Sequence, residues 1–295
     1  MTTTALAPEL APDVDREARP RHPALGRFLH HRLGVAAAAV LVLIVAFCFL
    51  GPLMHPTASA ANLLAANQPP SGAHPLGTTP NGRDVLGRLM VGGQSTLELG
   101  LSVGVLATGF GLLYGTVAGL AGGVLDAVLM RIVDALLSIP FLFFVILLAS
   151  IVRPTLPLII AVISGVSWLS TARLVRAETL RLRTLDYVEA SRGFGARSWW
   201  ILLRHLVPNV LGVLVVNGTL KVADAILTFA SLGYLGLGVP PPATNWGAML
   251  SAGVNNFFDG YWWQLWPAAV LIVVTVLAVN VLGDALRDVV ERRLG

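Results

Sequence analysis

Long apolar runs alternate along the chain with stretches in which Arg, Pro, Gly and Asn gather. The runs lie at about 33–54, 96–121, 128–151, 156–174, 207–235 and 265–282. Most approach the roughly 20 residues that a helix needs to cross a bilayer. The pattern therefore predicts an all-α, polytopic membrane protein with about six transmembrane helices. Arginines orient it. Arg16, Arg19, Arg21, Arg27 and Arg32 precede the first run, and Arg173, Arg176, Arg181, Arg183, Arg192, Arg197 and Arg204 surround the stretch before the fifth. No Lys or Arg occurs between Asp224 and Trp266. Basic segments stay in the cytoplasm, so both termini are expected inside. Residues 1–32, polar and proline-containing, read as a flexible cytoplasmic tail, and 33–295 as a transmembrane domain. Within that domain 55–95 and 236–264 are expected outside, and 175–206 inside. The first run starts too late, with no convincing cleavage site, to be an ordinary signal peptide.

Composition agrees. Hydrophobic residues make up 55% of the chain and charged ones 12%, with a mean hydropathy of +0.75. Soluble domains average about 25% charged residues. The net charge of +4 comes almost wholly from arginines that flank apolar runs, which does not suggest a nucleic-acid surface. Cys48 is the single cysteine, so neither an internal disulfide nor a cysteine metal site is possible. No GxxxxGK[ST] stretch occurs, so no phosphate-cradling loop for ATP is visible. His30, His31, His55, His74 and His205 are scattered over both sides of the membrane, and no nucleophile elbow is present. No catalytic residue, metal site or bound cofactor is expected.

Several polar residues stand out against this background. Lys221, the only lysine, and Asp224 fall three residues apart inside the fifth run. Charges inside a membrane are costly, so they are candidates either for a translocation path or for a buried ion pair. Ser164, Ser167 and Ser170 make the fourth run somewhat polar and suit an aqueous path or a neighbouring helix. Gly104, Gly111, Gly115 and Gly119 form a stripe on the second span, which reads as close helix packing. Arg83, Asp84 and Arg88 can form a local ion-pair set, though each alone reads as a solvated charge of a surface loop, and Arg131 can pair with Asp134 one helical turn on as a structural anchor. Trp246, Trp262, Trp263, Trp266 and Tyr261 suit an interfacial aromatic belt.

The most patterned polar stretch is DYVEASRGFGARSWWILLRHLVPN, 186–209. Glu189, Ala190 and Ser191 precede Gly193 and Gly195, and His205, Val207 and Pro208 close it. This order resembles the loop signature of permeases of ATP-binding-cassette importers: Glu-Ala-Ala, three residues, Gly, nine residues, an aliphatic residue, one residue, Leu-Pro. Ser191 stands for the last Ala and His205 for the aliphatic residue. RHLVPN is similar to the RHxxPN variant of the dipeptide and oligopeptide permeases. The segment HPLGTTPNGRDVLGRLMVGGQSTLELG, 74–100, resembles the corresponding segment of their C-type subunit, with Thr79 for Asp, Gly87 for Ser and Gln94 for Arg. Arg83 and Asp84 belong to it. SLGYLGLGVPPPATNWGAML, containing Trp246, and the ending GDALRD resemble further motifs of that family. The family usually lacks both Lys221 and Asp224.

The resemblance covers about 33–293. It implies the fold of a type I importer permease in a bacterial cell membrane, serving as one of two transmembrane subunits for dipeptides or oligopeptides. Implied partners are a homologous second permease, cytoplasmic ATPase subunits that bind ATP and Mg, an extracytoplasmic substrate-binding protein, and the lipid bilayer. Asp186, Glu189, Ala190, Ser191, Gly193, Gly195 and Pro208 would form the loop that couples to the ATPase. Nickel or another small ligand is the alternative cargo. A membrane enzyme or an ATP-independent channel or carrier are rival classes; the latter usually shows an internal repeat, and none is clear.

Overall fold

The computed structural model describes residues 28–55, 61–151, 153–195, 200, 204 and 207–294. Of the expected tail, 1–32, residues 1–27 lie outside them, while 28–30 and Arg32 are helical; 196–199 and His205 in the arginine-rich stretch also lie outside. Helix α1 is Arg32–Met54, and the side chain of His31 caps it by accepting from the Gly34 N–H at 3.0 Å. Helix α2 is Val85–Ala121. It begins eleven residues before the apolar run at 96 because its first polar side chains find partners inside the protein. Gln94 Nε2 donates to the Cys48 carbonyl at 2.8 Å, and Ser95 Oγ to the Thr244 carbonyl at 2.6 Å. Asp84 caps its N-terminus through the Gly87 N–H at 3.1 Å. Gly122, at φ +63°, ends it, a conformation that favours glycine.

The expected third span, 128–151, is two helices: α3, Gly123–Leu137, and α4, Phe141–Ile151, bent by 75°. Pro140 sits at the break, where it lacks an N–H and its ring blocks a continuous helix. Helix α5, Leu156–Leu182, outruns its apolar stretch by eight residues. Then come α6, Asp186–Gly193; α7, Val207–Tyr234; α8, Trp246–Phe257; and α9, Trp266–Leu294. Helix α8 was expected as irregular chain, and Asn245 nucleates it by accepting from the Ala248 N–H at 2.8 Å. Among the described residues five helices are long and apolar enough to span a membrane, and six if α3 and α4 make one span.

The glycine stripe of α2 does what its spacing predicts. A Cβ at Gly104 would lie 2.5 Å from Val222 Cγ2 of α7, and one at Gly119 2.7 Å from Thr179 Cβ of α5. Pairs 111/171, 115/175 and 119/179 advance together, so α5 runs parallel to α2; 100/226 and 104/222 run oppositely, so α7 is antiparallel. Helix α1 is also antiparallel, with Cys48 beside Gly93. The start of α1 and the end of α9 meet, His31 Nε2 lying 3.4 Å from Asp288 Oδ2. The start of α1, the end of α9 and α6 therefore share one end of the bundle. The segment 61–84 and α8 share the other.

At that second end the core closes on Trp246, which is fully buried with Cys48, Val85, Leu89, Met249 and Trp263 around it. Its Nε1 donates to the Leu89 carbonyl at 2.9 Å. This corrects the aromatic-belt expectation for Trp246 and for Trp263, which is 7% exposed and donates to the Thr78 carbonyl. Both indoles have an internal acceptor, so burial leaves no unmet donor. Trp262 and Trp266 are half exposed, as a belt requires.

Candidate functional site

Three places carry the candidate residues. The first is the end formed by α6. Val188 is fully buried against Val175 and Leu182 of α5 and Val210 and Leu214 of α7. This pins α6 to the bundle while Asp186, Gly193 and Gly195 stay exposed. Gly195 has φ +81°, and among the described residues nothing lies within 4 Å of where its Cβ would be. Beside it Phe194 is 92% exposed, a large apolar ring that sequence reading did not single out. Ser191 is half-buried, and the side chains of Glu189 and Ala190 lie outside the described ones. Pro208 sits in the first turn of α7, where its missing N–H costs no helix bond.

Ion pairs brace this end, differently from expectation. Asp134 meets Arg173 of α5, not Arg131 of its own helix. Asp126 takes both Nε and Nη2 of Arg176, at 2.5 and 2.6 Å. A two-pronged guanidinium–carboxylate match fixes direction as well as distance, so α3 is held to α5 in one orientation. Arg183 Nη1 donates to the Gly119 carbonyl at 3.0 Å, tying the start of the loop to the end of α2. No local spacing could have shown these pairs, since their partners lie 39 to 64 residues apart.

The second place is a cavity of about 470 Å³ between the α3–α4 break, α5 and α7. Ser167, Ser170, Lys221, Asp224 and Thr228 supply its polar lining, and Leu136, Pro140 and Phe141 part of its apolar wall. The structure thus brings together four of the five residues proposed for a path. Ser164 is not among them; its Oγ is buried and without a partner. Lys221 Nζ and Asp224 Oδ2 do approach, but at 3.5 Å, and the Asp224 side chain is 68% exposed. The dry, buried pair is not what forms within this chain. Exposed ion pairs contribute little to stability, so Lys221→Gln and Asp224→Asn should each cost no more than about 1 kcal/mol, and the double variant about the sum. Unfolding midpoints of the three variants check this; a loss of several kcal/mol in either single variant would restore the buried pair.

The third place is the opposite end. Here Asp84 does not join Arg83 and Arg88. Its carboxylate is 1% exposed and meets His55 Nε2 at 2.6 Å and His74 Nδ1 at 3.5 Å. Arg88 Nη2 instead donates to Thr244 Oγ1 at 3.0 Å. The Asp84 side chain also caps α2, accepting from the Gly87 N–H. A cavity of about 410 Å³ lies beside Arg83 and Arg88, with Asn81, Asn255, Asn256 and Gln264 among its lining. Among the described residues no group of three or more His, Cys, Asp or Glu could hold a metal ion.

Comparison with known proteins points one way. The family model described as "Binding-protein-dependent transport system inner membrane component" matches residues 111–295. A second, "N-terminal TM domain of oligopeptide transport permease C", matches 20–70. The "Oligopeptide transport system permease protein OppC" of Escherichia coli (strain K12) is 42% identical over 269 residues, covering 90% of this chain and 88% of that protein. The "Dipeptide transport system permease protein DppC" of Bacillus subtilis (strain 168) is 36% identical over 269 residues, covering 91% and 84%. A solved structure described as inward-facing conformations of the MetNI methionine ABC transporter aligns with a TM-score of 0.53 and 23% identity, over 68% of this chain and 95% of that one. This last likeness is one of fold.

Proposed function

Because this chain belongs to the family of binding-protein-dependent inner-membrane transport components, we propose that it is half of the membrane path of a bacterial importer for dipeptides or oligopeptides. The observation that carries this reading is the 42% identity to an oligopeptide permease subunit across 90% of the chain. The other half of the path would come from a second, homologous permease. ATP would be bound and hydrolysed on separate cytoplasmic subunits, and a soluble extracytoplasmic protein would deliver the cargo. The end bearing α6 and both termini would face the cytoplasm, in line with the arginines gathered there.

The geometry supports a role for each part. The cavity lined by Ser167, Ser170, Lys221 and Asp224 is polar on one wall and apolar on the other. Such a lining suits a peptide, whose backbone is polar and whose side chains vary. The exposed Phe194 and the small Gly193 and Gly195 offer the ATPase subunit a projecting ring next to a close backbone approach. Glu189 would add a polar contact there. Movement of the ATPase would then reach α5 and α7 through the buried Val188.

The test is reconstitution in liposomes with all partners. The wild-type system should accumulate a labelled tripeptide only when ATP, the ATPase subunits and the binding protein are present; no accumulation would sink the peptide reading. Gly195→Val should lower uptake and substrate-stimulated ATP hydrolysis together, and Glu189→Ala should do so more weakly. At φ +81° a side chain costs about 1–2 kcal/mol, and valine would also hinder the approach of a partner. Insertion and pairing with the second permease should persist, since among the described residues nothing lies within 4 Å of a Cβ at Gly195. Normal uptake in Gly195→Val would reduce the loop to a connector.

A further inference from the structure

The cavity beside Arg83 and Arg88 has no role in the reading so far. Two guanidinium groups line it, and among the described residues neither pairs with a carboxylate. Asp84, between them in sequence, is committed to His55, His74 and the cap of α2. Arg83 Nε is buried without a hydrogen-bond partner. A charged donor held out of water and unmet is an expensive arrangement, and it persists where a ligand supplies the acceptor. Guanidinium groups match carboxylates in shape and charge.

The rest of the lining narrows the ligand. Gln264 and Asn256 are bonded to one another at 2.8 Å, and Gln264 Nε2 also donates to Asn67 and Thr78, so they form a fixed wall. Asn81 and Asn255 are exposed at the mouth, and each presents an amide donor and acceptor. Amides that both donate and accept complement a peptide unit. The volume, about 410 Å³, falls in the roughly 300–1,000 Å³ range of small-molecule sites. The cavity also sits at the end opposite α6, the side from which cargo would arrive.

We propose that the Arg83–Arg88 cavity is a receiving site for the C-terminal carboxylate of a peptide, with Asn81 and Asn255 addressing its last amide. The inference rests on the peptide-transport reading. It gives that reading a sequence-tolerant means of recognition, because every unblocked peptide ends in the same group.

The experiment uses the full chain with its second permease in phosphatidylcholine nanodiscs, without the binding protein. Tri-alanine and its C-terminal amide are the probes, and the readout is the ligand-induced shift of the unfolding midpoint over a concentration series. The acid should half-saturate at a concentration about tenfold lower than the amide, because the amide leaves a guanidinium unmet. Arg83→Gln and Arg88→Gln should each weaken the response to the acid more than that to the amide and so remove the preference, and Arg83→Lys should recover part of it. Equal responses to acid and amide in the wild type would overturn the proposal, as would a preference that survives both glutamine variants. Two controls separate other anions. If the preference appears only when phosphatidylglycerol is withheld, the site takes a lipid headgroup and the proposal fails. If Arg83→Gln weakens docking of the peptide-free binding protein, the carboxylate comes from that protein and the proposal fails likewise. A wild-type importer that accumulates neither peptide overturns the transport reading, while the midpoint shifts still decide the site.

Discussion

Trp246→Ala should destabilise the membrane domain by about 3–5 kcal/mol, the cost of emptying a large aromatic site in a packed core. Trp246 is the largest of the fully buried side chains, and its indole ties α8 to the first turns of α2 through the Leu89 carbonyl. Removal leaves a cavity against Cys48, Gly93 and Met249. Gly247 cannot shift inward to fill the space, since its backbone already lies against Ala230. Unfolding in detergent, followed by heat or denaturant, would measure the loss. Trp262→Ala is the control: that ring is 53% exposed, and its removal should cost far less. Equal losses in the two variants would mean that the Trp246 site is not the keystone of this end.

The second large effect is expected on the α2–α5 seam. A Cβ at Gly115 would lie 2.4 Å from the Ala172 carbonyl oxygen and 2.8 Å from Val175 Cβ. Neither neighbour can swing away: one is helix backbone, the other a β-branched side chain fixed at χ1. Gly115→Val should therefore force the helices apart and cost about 1–3 kcal/mol or more, as overpacking does. Gly109 lies on the same helix with nothing within 4 Å, so Gly109→Ala should be neutral or stabilising by up to about 1 kcal/mol. Unfolding midpoints of the two variants should move in opposite directions. A stable Gly115→Val would show that the seam is looser than its spacing implies.

The spans were legible where apolarity alone decides the outcome. Helix α1 and the cores of α5, α7 and α9 follow the apolar runs because lipid and helix backbone leave little else possible. The reading failed where polar residues are satisfied across the fold. Arg88, Gln94 and Ser95 look like loop chemistry, yet Thr244 and Cys48, 46 to 156 residues away, accept their protons and permit helix. Helix α8 was hidden for the same reason: Asn245 and Trp246 read as an outer loop until Leu89 supplies the indole's acceptor. In the candidate sites, the spacing of Lys221 with Asp224 and of Ser167 with Ser170 showed which side chains share a helix face. It could not show that the Pro140 break completes their cavity, or that Asp84 turns to two histidines. Of the expected inner loop, 175–206, residues up to Leu182 continue α5 and Asp186–Gly193 form α6, so its polar composition concealed helix, and Gly195 turns the chain at φ +81°.

The burial of Val188 has a mechanical consequence. Its socket is built from Val175 and Leu182 on one side and Val210 and Leu214 on the other. Those same two helices carry the cavity residues, Ser167 and Ser170 on α5 and Lys221 and Asp224 on α7. At about 1.5 Å per residue, Ser170 lies roughly 8 Å up its helix from Val175, and Lys221 roughly 16 Å up its own from Val210. One small side chain thus touches both helices that carry the cavity residues. If α6 is part of a coupling device, a tilt imposed on it would bear on both cavity-lining helices at once, without either helix unwinding.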